Sequence, residues 1–145
     1  MNRFPEKCRE YADSRRYAVA EENGKKFTLD NQSNCFISKY RVDGCFDQNT
    51  GEQRCDFLFT TAEKVHTAYF VELKGGALKK AVEQITATIL FLKPQLPNCV
   101  YKARIIGSRD VPNLKTTTAY RTLLGLLKSE SHFHYATNRQ YSEII

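Results

Sequence analysis

Between Gln53 and Leu92 the hydrophobic period changes from two to about 3.6 residues, and a Gly-Gly pair marks the change. Gln53 to Thr60 (QRCDFLFT) and His66 to Lys74 (HTAYFVELK) read as strands, with a turn at Ala62-Glu63-Lys64. Gly75-Gly76 breaks the second. From Ala77 to Leu92, the residues Leu78, Ala81, Val82, Ile85, Ile89 and Leu92 line one face of a helix, which Pro94 and Pro97 end. Two strands joined by a short turn run antiparallel. A strand reached through a helix, here Val100 to Gly107, can return parallel. Such a chain is constrained to a mixed sheet packed against helices.

The flanking segments extend this pattern. Phe4, Cys8, Tyr11 and Arg15 fall at helical spacing, so Glu6 to Glu22 is expected to be a helix that Asn23-Gly24 stops. A turn-rich break at Asp30 to Asn34 precedes a strand from Cys35 to Cys45, and Asp47 to Gly51 reads as a hairpin loop. Thr116 to Ser129 is expected to be helical and His132 to Ala136 a short closing strand. With no repeat, linker or low-complexity stretch, residues 1–145 read as one α/β domain. A chain of about this length hides roughly 68–70% of its unfolded surface on folding.

The chemistry concentrates on three side chains. Asp56 interrupts the first apolar strand, and Glu72 and Lys74 close the second. Glu72 and Lys74 are two apart and so share a face, and normal hairpin pairing brings Asp56 toward Glu72. Two carboxylates make a hard oxygen site suited to Mg²⁺. Such a metal polarises a phosphoryl oxygen and lowers the pKa of a bound water. A neighbouring ammonium offsets charge that gathers in the transition state. Gly75-Gly76 leaves room for a bulky backbone such as a nucleic-acid strand.

The stretches Cys55-Asp56-Phe57-Leu58, Phe70-Val71-Glu72-Leu73-Lys74-Gly75-Gly76 and Lys80-Ala81-Val82-Glu83-Gln84-Ile85 resemble the PD-(D/E)XK nuclease superfamily. The resemblance implies a restriction-endonuclease-like αβββαβ core, a mixed central sheet flanked by helices. It implies a Mg²⁺-dependent phosphodiesterase in which Mn²⁺ substitutes, acting on nucleic acid, DNA first. By the same resemblance Asp56, Glu72 and the Leu73 carbonyl hold the metal, Lys74 orients the attacking water, and Gln84 stands near the site. One branch continues Q-x-x-x-Y, where this chain has Thr88; the proline that often precedes the aspartate is replaced by Cys55. Some branches add a glutamate from the first helix. Glu6, Glu10, Glu21 and Glu22 are available, with Glu10 favoured because Glu6 sits near the helix start. The alternative within the same fold is a catalytically silent, nucleic-acid-binding subunit of a larger complex.

Other features bound the partners. Lys plus Arg is 22 and Asp plus Glu 16, a net charge of +6 that favours polyanions and speaks against an immunity or regulatory partner with no nucleic-acid role. Lys79 and Lys80 stand where a helix N-terminus meets the site and could contact phosphate, and Lys102, Arg104, Arg109, Lys115 and Arg121 follow. Tyr101, Tyr120, Tyr135 and Tyr141 are available to stack on bases or to fill the core. His132-x-His134 is a possible metal pair, a surface or substrate-facing role being the other reading; His66 reads as a strand-end polar residue, and Asp43-Gly44 as an exit turn or a second acidic position. The five cysteines, Cys8, Cys35, Cys45, Cys55 and Cys99, are odd in number and lack CxxC spacing, so buried reduced thiols in a cytoplasmic protein are expected. No apolar run reaches the ~20 residues of a membrane span, and no secretory signal is expected at Met1 to Glu6. A homodimer is compatible with cutting two strands.

Overall fold

Alternation decides the N-terminal third. In Tyr17–Glu22 (β2) the side chains of Ala18 and Ala20 are buried, and in Lys25–Asp30 (β3) those of Phe27 and Leu29 are, so each segment hides every second residue. Between them Asn23 and Gly24 have φ of 54° and 73°, the pair of positive values that a tight type I′ hairpin requires. Glu22 accordingly pairs with Lys25. The expected helix from Glu6 to Glu22 is therefore replaced by a 3-10 turn at Glu6–Cys8, a strand at Arg9–Asp13 (β1), and β2. Asn23-Gly24 turns a hairpin rather than stopping a helix.

The computed structural model describes residues 4–46, 53–62, 65–73, 77–109 and 113–145. The remaining strands are Phe36–Arg41 (β4), Phe57–Ala62 (β5), Thr67–Leu73 (β6), Val100–Ile106 (β7), Phe133–Ala136 (β8) and Gln140–Ile144 (β9). The helices are Leu78–Leu92 (α1) and Thr118–Leu127 (α2). Thr117 caps α2 by accepting the Tyr120 N–H through its hydroxyl. The expected hairpin loop at Asp47 to Gly51, most of the turn at Ala62-Glu63-Lys64, and Gly75-Gly76 lie outside the described residues.

The fold is α/β, with a mixed six-stranded sheet in the order β1-β4-β5-β6-β7-β8. The pairs from β1 to β6 are antiparallel, and β6–β7 and β7–β8 are parallel. A second sheet, β2-β3-β9, pairs β3 in parallel with the chain's last strand. The expected helix-flanked sheet is thus half observed. One face carries α1 and α2, where Leu78, Val82, Ile85, Ile89 and Leu123 pack with Leu58, Ala68 and Phe70. The other carries the second sheet, where Phe27 and Leu29 pack with Phe57, Phe59, Tyr69 and Val71. Because β6 is covered on both faces, nearly all of it is buried, and Glu72 is the one charged residue in an otherwise largely apolar strand.

Among the described residues no helix is long and apolar enough to cross a membrane. The cysteine expectation needs one correction: Cys8 and Cys45 form a disulfide, while Cys35, Cys55 and Cys99 remain thiols. The bridge ties the turn before β1 to the turn after β4.

Candidate active site

The β5–β6 ladder pairs Phe57 with Val71, and one further step along this register sets Asp56 opposite Glu72. There β5 has ended, and side chains take over the ladder's hydrogen bonds. The Asp56 N–H donates to Glu72 Oε1 at 3.1 Å, and the Leu73 N–H donates to Asp56 Oδ2 at 2.8 Å. Asp56 is 7% exposed and Glu72 wholly buried. The register sets the two acidic residues opposite each other, and each carboxylate accepts a backbone N–H at the end of β6. Glu72 lies on the helix-covered face, two residues along from Phe70, which packs with α1.

Two other elements fix the segment that carries Asp56. The Val42 and Asp43 N–H groups, just beyond β4, donate to the Asp56 and Cys55 carbonyls at 2.9 and 3.1 Å. From α1, Thr88 Oγ1 accepts the Cys55 N–H at 2.8 Å and donates to the Gln84 carbonyl at 2.7 Å. Gln84 Nε2 donates to the Arg54 carbonyl at 3.4 Å, and the Arg54 guanidinium lies over the Phe91 ring at 4.2 Å. Sequence reading marks Thr88 only as a departure from Q-x-x-x-Y; the structure makes it the tether between α1 and Cys55. Its signal was the four-residue step from Gln84, which puts both on one helix face.

Electrostatics follow from this burial. Desolvation, and after it the Glu72 carboxylate, push the Cys55 thiol well above its ordinary value, so it stays protonated and inert. Gln84 is buried beside Arg54, and its Oε1 meets no hydrogen-bond donor among the described residues.

Several sequence candidates lie elsewhere. Lys74 is outside the described residues, so its relation to the carboxylates rests on sequence position alone. Glu10 is on β1, not on a helix. Its carboxylate binds Lys39 at 2.8 Å and approaches Arg41 at 3.7 Å. Those residues pair with Phe59 and Phe57 on the face covered by the second sheet, opposite Glu72. Glu22 pairs with Arg41 as well. Glu10 therefore does not join the site. Asp43 sits exposed in the exit turn, where Gly44 takes φ of 77°.

His132 and His134 do not form a metal pair: His132 Nδ1 contacts the Leu127 carbonyl at 2.9 Å, and His134 stacks on Tyr141. Arg104 is buried against Glu143 rather than offered to phosphate. Tyr101 packs against the helix-side core and Tyr120 is buried edge-on against Phe133, while Lys79 and Lys80 are exposed in the first turn of α1.

Among the described residues no three His, Cys, Asp or Glu side chains converge as a metal cage. What the described residues bring to this point is two buried acidic side chains, each held by a backbone N–H. Neither a family model, nor a curated protein, nor a solved structure matches the chain.

Proposed function

We propose that the chain is a metal-dependent nuclease that hydrolyses nucleic-acid phosphodiester bonds, with DNA the first substrate to test. The observation that carries this reading is the placement of Asp56 opposite Glu72 at the end of β6, with each buried carboxylate held by a backbone N–H. The donors are all oxygen, which fits Mg²⁺ or Mn²⁺ better than zinc or a softer ion. Gln84 Oε1, buried and without a donor among the described residues, supports the fit, since such an amide oxygen next to this segment wants a donor such as an ordered water.

In this reading Asp56, Glu72 and the Leu73 carbonyl hold the ion. When bound, it supplies Lewis-acid polarisation of the phosphoryl oxygen and a water of lowered pKa. The chain's own residues do the rest. The backbone N–H groups of Asp56 and Leu73 hold the carboxylates in place before substrate arrives, so little reorganisation is needed. Lys74, next in sequence after Leu73, offsets the negative charge that builds on the scissile phosphate. Thr88 and Gln84 keep the Arg54–Asp56 segment against α1.

The test is cleavage of single- and double-stranded DNA and RNA by the purified chain with Mg²⁺ or Mn²⁺. The reading expects cleavage that stops with chelator and in Lys74→Ala. No cleavage of any form with either ion, together with no heat of Mn²⁺ binding, would overturn it. A second reading is favoured by the complete burial of Glu72: a nuclease-like fold kept only to bind nucleic acid within a larger complex. It expects no metal binding but an affinity for nucleic acid that falls steeply with salt.

A further inference from the structure

The last strands of the two sheets, β8 and β9, are consecutive in the chain and frame a cavity of about 820 Å³ with β3. That volume lies within the roughly 300–1,000 Å³ range of small-molecule sites. The turn between β8 and β9 is fastened to the end of β7, with the Gly107 N–H donating to the Ala136 carbonyl and the Arg139 N–H to the Gly107 carbonyl, both at 2.8 Å. Ala136, which lines the cavity, shares its register level with Ile106 and Leu73 and so lies at the same end of the main sheet as Asp56 and Glu72. At about 4.8 Å between neighbouring strands, β8 lies roughly 10 Å across the sheet from β6.

Three aromatic rings run into this cavity. Phe27 in the core stacks on Tyr141 at 6.3 Å, and Tyr141 stacks on His134 at 4.0 Å. His134 ends the series, and it lines the cavity with Tyr141, whereas Phe27 does not. Among the described residues the wall carries one Lys or Arg, Lys26, and no carboxylate. The nearest acid along the strand, Glu143, is taken up by Arg104 at 2.5 Å. Asn138, Gln140 and Ser142 add neutral donors and acceptors. A stacked ring, one cation, no acid and a polar rim together select a ligand with a flat aromatic ring and a negative charge.

We infer that this cavity binds one nucleotide of a single-stranded nucleic acid, with its base stacked on His134 and its phosphate at Lys26. The inference deepens the nucleic-acid part of the proposed function and does not depend on the metal chemistry of Asp56 and Glu72. Stacking selects any base, because every base has a π-face, and the amides read only which edges are presented.

The experiment is fluorescence anisotropy of a fluorescein-labelled single-stranded DNA 12-mer, in chelator and at low salt. An abasic strand of equal length serves as the second probe. His134→Ala is expected to weaken binding about 5- to 150-fold, the span of base–aromatic stacking. His134→Phe, which keeps a flat ring, stays within about threefold of wild type on the same argument. Lys26→Ala, at an exposed position, lowers the slope of log affinity against log salt by about 0.7. The abasic strand binds more weakly than the normal one to wild type, and His134→Ala no longer tells them apart.

No binding of the 12-mer by wild type would overturn the inference. So would wild-type affinity in both His134→Ala and Lys26→Ala, or equal affinity for the abasic strand. Should His134→Ala unfold, His134→Phe and Lys26→Ala still decide. Binding through His134 without any Mn²⁺-dependent cleavage removes the metal-site reading alone. Cleavage with unchanged binding in the pocket variants removes the pocket alone.

Discussion

The Asp56 N–H donates to Glu72 Oε1 at 3.1 Å, so the backbone of one acidic residue holds the side chain of the other. This separates the structural duty of Glu72 from its charge. Glu72→Gln keeps an oxygen for that N–H but removes the negative charge a cation needs. It is expected to fold like wild type while cleavage falls at least about 100-fold, the scale on which one catalytic electrostatic group acts. Glu72→Ala, by contrast, leaves a buried N–H without its acceptor and costs about 1–3 kcal/mol of stability. Thermal unfolding and a cleavage assay on both variants check this. Full cleavage by Glu72→Gln would show that the carboxylate charge has no part in the reaction.

The Cys8–Cys45 disulfide closes a loop with a sequence separation of 37. Loop-closure entropy for such a span is worth about 4 kcal/mol if disulfide stabilisation acts through the unfolded chain. The bridge also fastens the turn after β4, where the Cys45 and Phe46 N–H groups bond to the Val42 carbonyl and Val42 in turn bonds to Asp56. Reduction is expected to lower stability by about 2–4 kcal/mol. It should slow cleavage more than the loss of folded protein accounts for. Urea unfolding and single-turnover cleavage, each with and without a thiol reductant, make the comparison; Cys45→Ser should match the reduced protein in both.

What was legible in the sequence follows from the range of the interactions involved. The stripe Leu78, Val82, Ile85, Ile89 repeats at helical period and faces a core that exists because of it, so α1 could be read to within a residue. The placement of Asp56 opposite Glu72 was legible because two strands joined by a short turn have little freedom of register. The N-terminal third was misread because Phe4, Cys8 and Tyr11 imitate helical spacing, while β2 hides only two alanines and so gives a faint period of two. Asn23-Gly24 was the stronger signal and pointed to a hairpin. The second sheet depends on β9 pairing with β3 across most of the chain, and no local pattern in Gln140–Ile144 announces a partner so far away. The placement of Glu10 failed with the helix: a residue assigned to a helix beside the site lies on an edge strand whose side chains meet Lys39 and Arg41.

Asn31 joins two loops within what reads in the sequence as a simple break. Its Nδ2 donates to the Arg15 carbonyl at 3.0 Å and to the Cys35 carbonyl at 2.8 Å, and its Oδ1 accepts the Cys35 N–H at 2.9 Å. The residue is 3% exposed, so water does not readily replace these bonds. Asn31→Ala is expected to cost about 3 kcal/mol, roughly one for each bond lost. Asn31→Asp keeps the Cys35 N–H acceptor but loses both donors and should fall between wild type and alanine. Urea unfolding of the three proteins gives the order, and an alanine variant as stable as wild type would contradict it.

His134 links the pocket to pH. Burial first, and the Arg104 charge second, hold its imidazole below the ordinary histidine value, with Glu143 pulling the other way. The unfolded chain therefore takes up this proton before the folded chain does. The stability that neutral His134 contributes is complete above the unfolded value near 6.5, and it is lost as pH falls from there through the lower folded value. Below the folded value both states are protonated and the loss stops. The groups facing the ring are Arg104 and Glu143, paired with each other, and Tyr141 stacked against it. His134→Phe keeps a ring on Tyr141 but has no proton to bind. Urea unfolding followed from about pH 7.5 to about pH 5 should show wild type losing stability more steeply than His134→Phe, across the window that linkage assigns to this histidine. Parallel curves for the two proteins would mean that His134 titrates alike in the folded and unfolded chains.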